Sequence, residues 1–158
     1  MKIIKFEEIY RDDMIFTVLQ AKDALGRKPT INPDLLDIKA NYLDCNDMFW
    51  LAIDENDRVV GCIGCSRITD TDQAFLHRLY IKPSLKRKGI GSKLLNTAEL
   101  WMRENGIAVS KVHLGTPKEQ WFESYVFYPK HGYIEYEPRY MMTVSYTHLR
   151  AHETDSYL

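Results

Sequence analysis

The chain has 158 residues, 45% hydrophobic content and a formal net charge of −1, enough for one domain with a sizeable core and too balanced for a nucleic-acid-binding surface or a polyanionic partner. No apolar run approaches the roughly 20 residues of a membrane-crossing helix. The opening Met1-Lys2-Ile3-Ile4-Lys5-Phe6-Glu7-Glu8 turns acidic too soon for a secretory signal, so a cytoplasmic location is expected.

In chain order, residues 3–6 form a short apolar strand. Residues 12–25 carry Met14, Ile15, Val18, Leu19 and Ala21 or Leu25 at helical spacing, with Asp12 or Asp13 as N-cap. Gly26-Arg27-Lys28-Pro29-Thr30 breaks that helix. Asn32 as N-cap and Pro33 at the first position start a second one, running to about Leu43. The β-rich runs 49–53 and 59–68 flank Asp54-Glu55-Asn56-Asp57-Arg58 and read as a hairpin. A strand over 74–81 follows a polar loop. Residues 91–105 are amphipathic through Leu94, Leu95, Ala98, Trp101 and Met102, and Gly106 stops them. A strand over 109–114 and a helix over 117–128, ended by Pro129 and Gly132, precede an antiparallel pair at 133–136 and 140–144. The order is β-α-α-β-β-β-α-β-α-β-β.

The chain has three cysteines, and Cys62-x-x-Cys65 invites a metal or redox reading. Residues three apart on a strand point to opposite faces, and a structural zinc takes four ligands. The expectation is small buried residues in a reducing compartment and no metal.

The most informative run is Leu79-Tyr80-Ile81-Lys82-Pro83-Ser84-Leu85-Lys86-Arg87-Lys88-Gly89-Ile90-Gly91-Ser92. A strand ends at Ile81, a basic turn follows, and a helix opens at the glycines. Small residues let a ligand approach the backbone. The free N–H groups and positive end of the helix suit a pyrophosphate, and Lys86, Arg87 and Lys88 add charge. The run is neither the three-glycine dinucleotide fingerprint nor a P-loop. On these residues alone, an ordinary strand-to-helix turn with solvated lysines stays open.

Lys86-Arg87-Lys88-Gly89-Ile90-Gly91 resembles the acetyl-CoA motif Gln/Arg-x-x-Gly-x-Gly/Ala of the GCN5-related N-acetyltransferases (GNAT), with lysine at the first position. That lysine keeps the charge and loses the planar fork. Downstream, Val126-Phe127-Tyr128-Pro129-Lys130-His131-Gly132-Tyr133 resembles the family's Phe-Tyr-x-x-x-Gly-Phe segment. The resemblance covers residues 1–143 and is strongest over 75–133. It implies an α/β (α+β) single-domain fold: a mixed, mainly antiparallel sheet flanked by helices. Strands 74–81 and 109–114 would run parallel and splay to admit the pantetheine arm.

The implied reaction moves an acetyl group from acetyl-CoA, as co-substrate, to an amine acceptor, without a metal. The resemblance gives Tyr128 the role of acid at the coenzyme sulfur; an aromatic packed at a helix end is the other reading. Trp121 and Ser124 stand where the family often has Asn and Ala. His77 is the candidate base on a strand face counted by twos through Phe75, His77 and Leu79, or a core histidine. Phe75 occupies one of the family's Glu/His positions and is unable to act. His113 is a rival base, and His131 reads as structural. Leu79, Tyr80 and Ile81 offer backbone groups to pantetheine, and Lys86, Arg87, Lys88, Gly89, Ile90, Gly91 and Ser92 hold the pyrophosphate. Residues 25–37, Tyr42, Trp50 and Trp121 are candidate acceptor walls, the aromatics also fitting a core. A second functional reading is a non-catalytic acyl-CoA-binding or sensing module. A monomer or homodimer is expected. The segment Val144-Ser145-Tyr146-Thr147-His148-Leu149-Arg150-Ala151-His152-Glu153-Thr154 resembles the translation of a transposase sequencing adapter. The domain is therefore expected over 1–143 and a tail over 144–158, adapter-derived or disordered.

Overall fold

A computed structural model of the chain describes residues 1–144; the expected tail lies outside them except for Val144. The elements are β1 (Lys2–Lys5), α1 (Arg11–Ala24), α2 (Ile38–Asn41), β2 (Met48–Ile53), β3 (Val59–Arg67), β4 (Gln73–Ile81), α3 (Ile90–Glu104), β5 (Val109–His113), α4 (Phe122–Lys130), β6 (Ile134–Glu137) and β7 (Tyr140–Val144). The strands are hydrogen-bonded in the order β1-β2-β3-β4-β5-β7-β6. The sheet is mostly antiparallel, and β4 with β5 is the parallel pair. Among the described residues no helix is long and apolar enough to cross a membrane. The described residues form two compact units, 1–66 with 77–98 and 67–76 with 99–144.

In the first unit the β2–β3 hairpin turns on Asp54, whose Oδ1 accepts from the amides of Asn56 and Arg58 at 2.9 and 3.0 Å. Arg58 then grips Asp13 of α1 with two bonds, Nε to Oδ2 at 3.0 Å and Nη2 to Oδ1 at 2.8 Å, and Val59 N donates to the same carboxylate at 2.8 Å. The alternating residues Phe49, Leu51 and Ile53 face one side of β2. They pack with Met14 and Val18 of α1, with Leu35, Ile38 and Tyr42, and with Val59 and Cys62 of β3. Gly64 makes room for this core: a Cβ there would lie 2.8 Å from Phe49 Cδ2 and 2.9 Å from Tyr42 Cε1.

Two helix starts differ from the sequence reading. α1 begins at Arg11, so Asp12 and Asp13 lie inside its first turn, where acidic side chains complement the helix dipole. The expected helix from Asn32 to Leu43 is broken into 3₁₀ turns at Pro33–Leu36 and Leu43–Cys45 around the one-turn α2. The break falls at Asp37 (φ −145°, ψ 82°), whose carboxylate caps α2 by accepting from Ala40 N. The Asn32 side chain is drawn away from capping and accepts from Lys22 Nζ at 2.8 Å.

In the second unit the parallel ladder runs from Gln73↔Val109 to Leu76↔Val112. β5 pairs with β7 from Val109↔Val144 to His113↔Tyr140, and β6 forms the edge. Ala74, Leu76, Val112, Leu114, Tyr133 and Met141 are buried, together with a polar knot. There Tyr133 donates to Glu99 Oε2 at 2.8 Å, and Ser110 Oγ lies 2.7 Å from the same hydroxyl. A tyrosine has one O–H to give, so Ser110 donates to Tyr133. α4 starts at Phe122, later than the sequence suggested. Trp121 folds back over Gly115, where a Cβ would stand 2.3 Å from the indole, and its Nε1 donates to Thr116 O at 3.2 Å. Pro129 falls inside the last turn, and left-handed Gly132 (φ +88°) ends the helix.

Candidate functional site

In the first unit, β4 ends at Ile81, and Lys82 N closes it against β3 by donating to Val60 O at 2.9 Å. A 3₁₀ turn over Pro83–Leu85 leads into the basic run. Two left-handed residues, Arg87 (φ +66°) and Gly89 (φ +81°), bracket Lys88. The first bond of α3 runs from Lys93 N to Gly89 O at 3.1 Å. The amides of Ile90 and Gly91 precede it and stand outside the helical ladder. Arg87, Lys88 and Gly89 are exposed, and a Cβ at Gly89 would meet nothing within 4 Å. A turn of this shape, with a helix N-terminus behind it and cationic side chains beside it, can hold an anion.

Upstream of that loop, Arg78 is left-handed (φ +58°) in the middle of β4. This corrects the count by twos through Phe75, His77 and Leu79, because a left-handed residue interrupts the pleat between His77 and Leu79. Tyr80 packs against the α1–α2 core, whereas Ile81 reaches Gly61 beside Leu94 of α3. The Arg78 guanidinium grips Asp34, Nη2 to Oδ1 at 2.9 Å and Nε to Oδ2 at 3.1 Å. Tyr42 donates to Asp34 Oδ2 at 2.7 Å. Burial raises the Asp34 carboxyl, but the Arg78 and Tyr42 bonds outweigh it and hold the group below the usual aspartate value. Burial raises Tyr42 far above an ordinary tyrosine, and the bond to Asp34 adds to that. Lys22 donates to Thr30 O and to Asn32 Oδ1, and its ammonium lies 5.9 Å from the centre of the Tyr80 ring. The segment after α1 is thus tied to β4 by ionic groups. Asp34 and Arg78 carry no motif in the sequence.

His77 precedes this cluster. Burial lowers its pKa below the ordinary histidine value, Arg78 lowers it further and Asp34 partly offsets this. It is therefore neutral at neutral pH and able to accept a proton. Tyr42 and Trp50 are both buried, which makes them core aromatics of the first unit. Cys62 and Cys65 are buried on β3, and Cys62 Sγ donates to Arg78 O at 3.2 Å.

Tyr128 belongs to the second unit, with Phe75, His113, Trp121 and His131. It is buried on α4, with its ring 5.3 Å from that of Tyr133. Burial, with a contribution from Glu99, pushes its pKa well above the ordinary tyrosine value. Phe75 packs edge-on to Tyr140. His113 is exposed and stacked on the same ring at 4.4 Å. His131 Nδ1 lies 2.8 Å from Phe127 O.

The acetyltransferase (GNAT) family model matches residues 5–133. An acetyltransferase of the GNAT family from Staphylococcus aureus Mu50 shares 25% identity, over 90% of this chain and 98% of its own, with a TM-score of 0.82. Likeness of fold extends to an acetyltransferase from Streptococcus agalactiae 2603 (20% identity, 90% and 96% covered, TM-score 0.73). It extends also to a GNAT family acetyltransferase from Brucella melitensis in complex with acetyl-CoA (17% identity, 90% and 86% covered, TM-score 0.66). No curated protein sequence matches the chain. With the family model spanning most of its length, the chain belongs to the GNAT family of acetyltransferases.

Proposed function

We propose that the chain transfers an acetyl group from acetyl-CoA to the primary amine of a small molecule or peptide, in the cytoplasm. Family membership supports acyl transfer, and coenzyme complexes among the fold relatives support acetyl-CoA as the donor. The observation that carries the proposal is the loop at the head of α3. Its two left-handed residues, exposed Gly89 and the amides of Ile90 and Gly91 form a cradle that a Cβ-free position leaves open. Lys86, Arg87, Lys88 and Ser92 surround it, and the backbone of Leu79, Tyr80 and Ile81 is the proposed seat of the pantetheine arm. The proposed transferase domain is residues 1–143.

Acetyl-CoA, when bound, supplies an acetyl group activated as a thioester. Holding it beside the amine provides most of the catalysis, since placing two reactants together is worth about 7–11 kcal/mol. His77, directly or through water, takes a proton from the incoming ammonium. The amine nitrogen then bonds to the carbonyl carbon as the carbon–sulfur bond breaks, and the second nitrogen proton passes to water to leave the neutral amide. Tyr128 is assigned to the departing thiolate. A thiol titrates near 8.5, well below this buried tyrosine, so full proton transfer from Tyr128 is uphill. Its contribution is a hydrogen bond to the thiolate, and the final proton comes from solvent.

The test is calorimetry with acetyl-CoA, then a thiol-release assay over amino acids, polyamines, aminoglycosides and peptides, with product mass. Binding and an N-acetylated product are expected; absence of binding refutes the proposal. Binding without turnover on any amine favours the second reading, a non-catalytic acyl-CoA module. Phe75, held apolar against Tyr140 where the family uses Glu or His, supports that reading.

A further inference from the structure

We infer that Asp34, Arg78 and Tyr42 form a positioning device: the ion pair holds Arg78 in its left-handed conformation and so fixes the backbone of residues 79–81. The inference rests on the reading of that segment as the seat of the coenzyme arm.

A left-handed residue other than glycine in mid-strand needs an external restraint, because its Cβ crowds the following carbonyl. Arg78 has two direct restraints and its partner Asp34 a third, all within the first unit. Its guanidinium makes a two-bond fork with Asp34, the geometry in which arginine is most specific. Its carbonyl accepts from the buried Cys62 thiol, a side-chain donor on β3. Asp34 is itself fixed, since Tyr42 donates to Oδ2 and that ring is wedged against Phe49 at 5.1 Å. The side chains of Arg78 and Asp34 are 31% and 23% exposed, so the pair is shielded well beyond an ordinary surface ion pair.

The strand beyond Arg78 is clamped at its other end. Lys82 N donates to Val60 O, and Gly61 allows a close approach, with Tyr80 O only 3.1 Å from where a Cβ would stand. Residues 79–81 are thus suspended between an ionic anchor and a backbone anchor. Releasing the first lets Arg78 relax toward extended geometry and rotates the peptide groups that follow it. None of the three side chains needs to touch the coenzyme for this to matter.

Glycine enters the left-handed region without the Cβ penalty, which separates this role from others. Arg78→Ala and Asp34→Asn are expected to weaken acetyl-CoA binding about tenfold by calorimetry, and to speed amide hydrogen exchange at residues 79–81 in the ligand-free protein. Arg78→Gly is expected to stay within about threefold of the parent in affinity, and adding Asp34→Asn to it should change nothing further. Tyr42→Phe, the mildest change, should weaken binding about two- to threefold. Were Arg78→Gly as weak as Arg78→Ala, the guanidinium would act as a charge and the inference would fall. It would fall equally if every variant bound as the parent does while only the melting temperature dropped. A parent that binds no acetyl-CoA overturns the underlying reading, and the inference with it.

Discussion

Replacing Tyr133 with phenylalanine removes one oxygen from the buried knot of the second unit. In the parent, that oxygen donates to Glu99 at 2.8 Å and lies 2.7 Å from Ser110 Oγ, and both neighbours are almost fully buried. The phenylalanine ring fills the same space, so no cavity term arises. The loss is therefore that of hydrogen bonding alone. A bond to a charged acceptor contributes about 1.5–3 kcal/mol and a neutral one about 0.5–1.5 kcal/mol, with overlap between the two in so compact a network. A destabilisation of about 2–3 kcal/mol follows. For a chain of this size each kcal/mol moves the midpoint by about 2–4 °C, so Tyr133→Phe should melt about 5–10 °C below the parent by circular dichroism. Glu99→Gln should also destabilise, and the double variant should fall short of the sum of the two, because the residues share a bond. A Tyr133→Phe midpoint within about 1 °C of the parent would refute the reasoning and show that the knot contributes no net stability.

Gly89→Glu should leave the fold intact apart from a left-handed penalty of about 1–2 kcal/mol, since a Cβ there meets nothing. It should weaken acetyl-CoA binding by more than tenfold in calorimetry, through charge and bulk in the cradle; unchanged affinity would move the pyrophosphate elsewhere. Tyr128→Phe should lower kcat by about 10²-fold through the lost hydrogen bond to the thiolate, with coenzyme affinity nearly unchanged, and a parental kcat would leave stabilisation of the thiolate to water. His77→Gln should flatten the acidic limb of the pH–rate profile, a limb that in the parent lies below the ordinary histidine value because burial lowers the His77 pKa. The linked stability effect has a definite sign: the unfolded chain binds this proton more readily, so the parent loses stability as pH falls through about 6.5. His77→Gln should lose less over the same range in denaturant melts, and parallel curves would return His77 to an inert core role.

The loop at the head of α3 was legible because its signal is local: glycines, a basic run and an amphipathic helix follow one another without interruption. The strand pattern was legible for the same reason, since alternation and turn residues are written within each segment. Three features were not. Asn32-Pro33 carries every sign of a helix start, yet Asp34 is drawn to Arg78 and Tyr42 and Asn32 to Lys22, so tertiary contacts break the segment at Asp37. The left-handed Arg78 gives no local sign at all, because a glycine there would announce itself and an arginine held by a distant carboxylate does not. The late start of α4 depends on Trp121 settling over Gly115, a contact of shape and not of propensity. Tyr128 and His77 are proposed from motif and strand position. Their shifted acidities depend on burial, which the sequence alone did not fix.

The Cys62 thiol, whose hydrogen bond closes the back of β4, has a practical consequence for any experiment that counts thiols. Burial pushes its pKa up to about 12, so almost none of it is thiolate near neutral pH, and the thiolate is the form that reacts with disulfide reagents and alkylators. Cys65 is equally enclosed, and Cys45 is exposed. The native protein should therefore consume one equivalent of an aromatic disulfide quickly and the other two only as it opens. That slow phase is a label-free clock for the opening of β3, readable in the same cuvette as enzyme turnover.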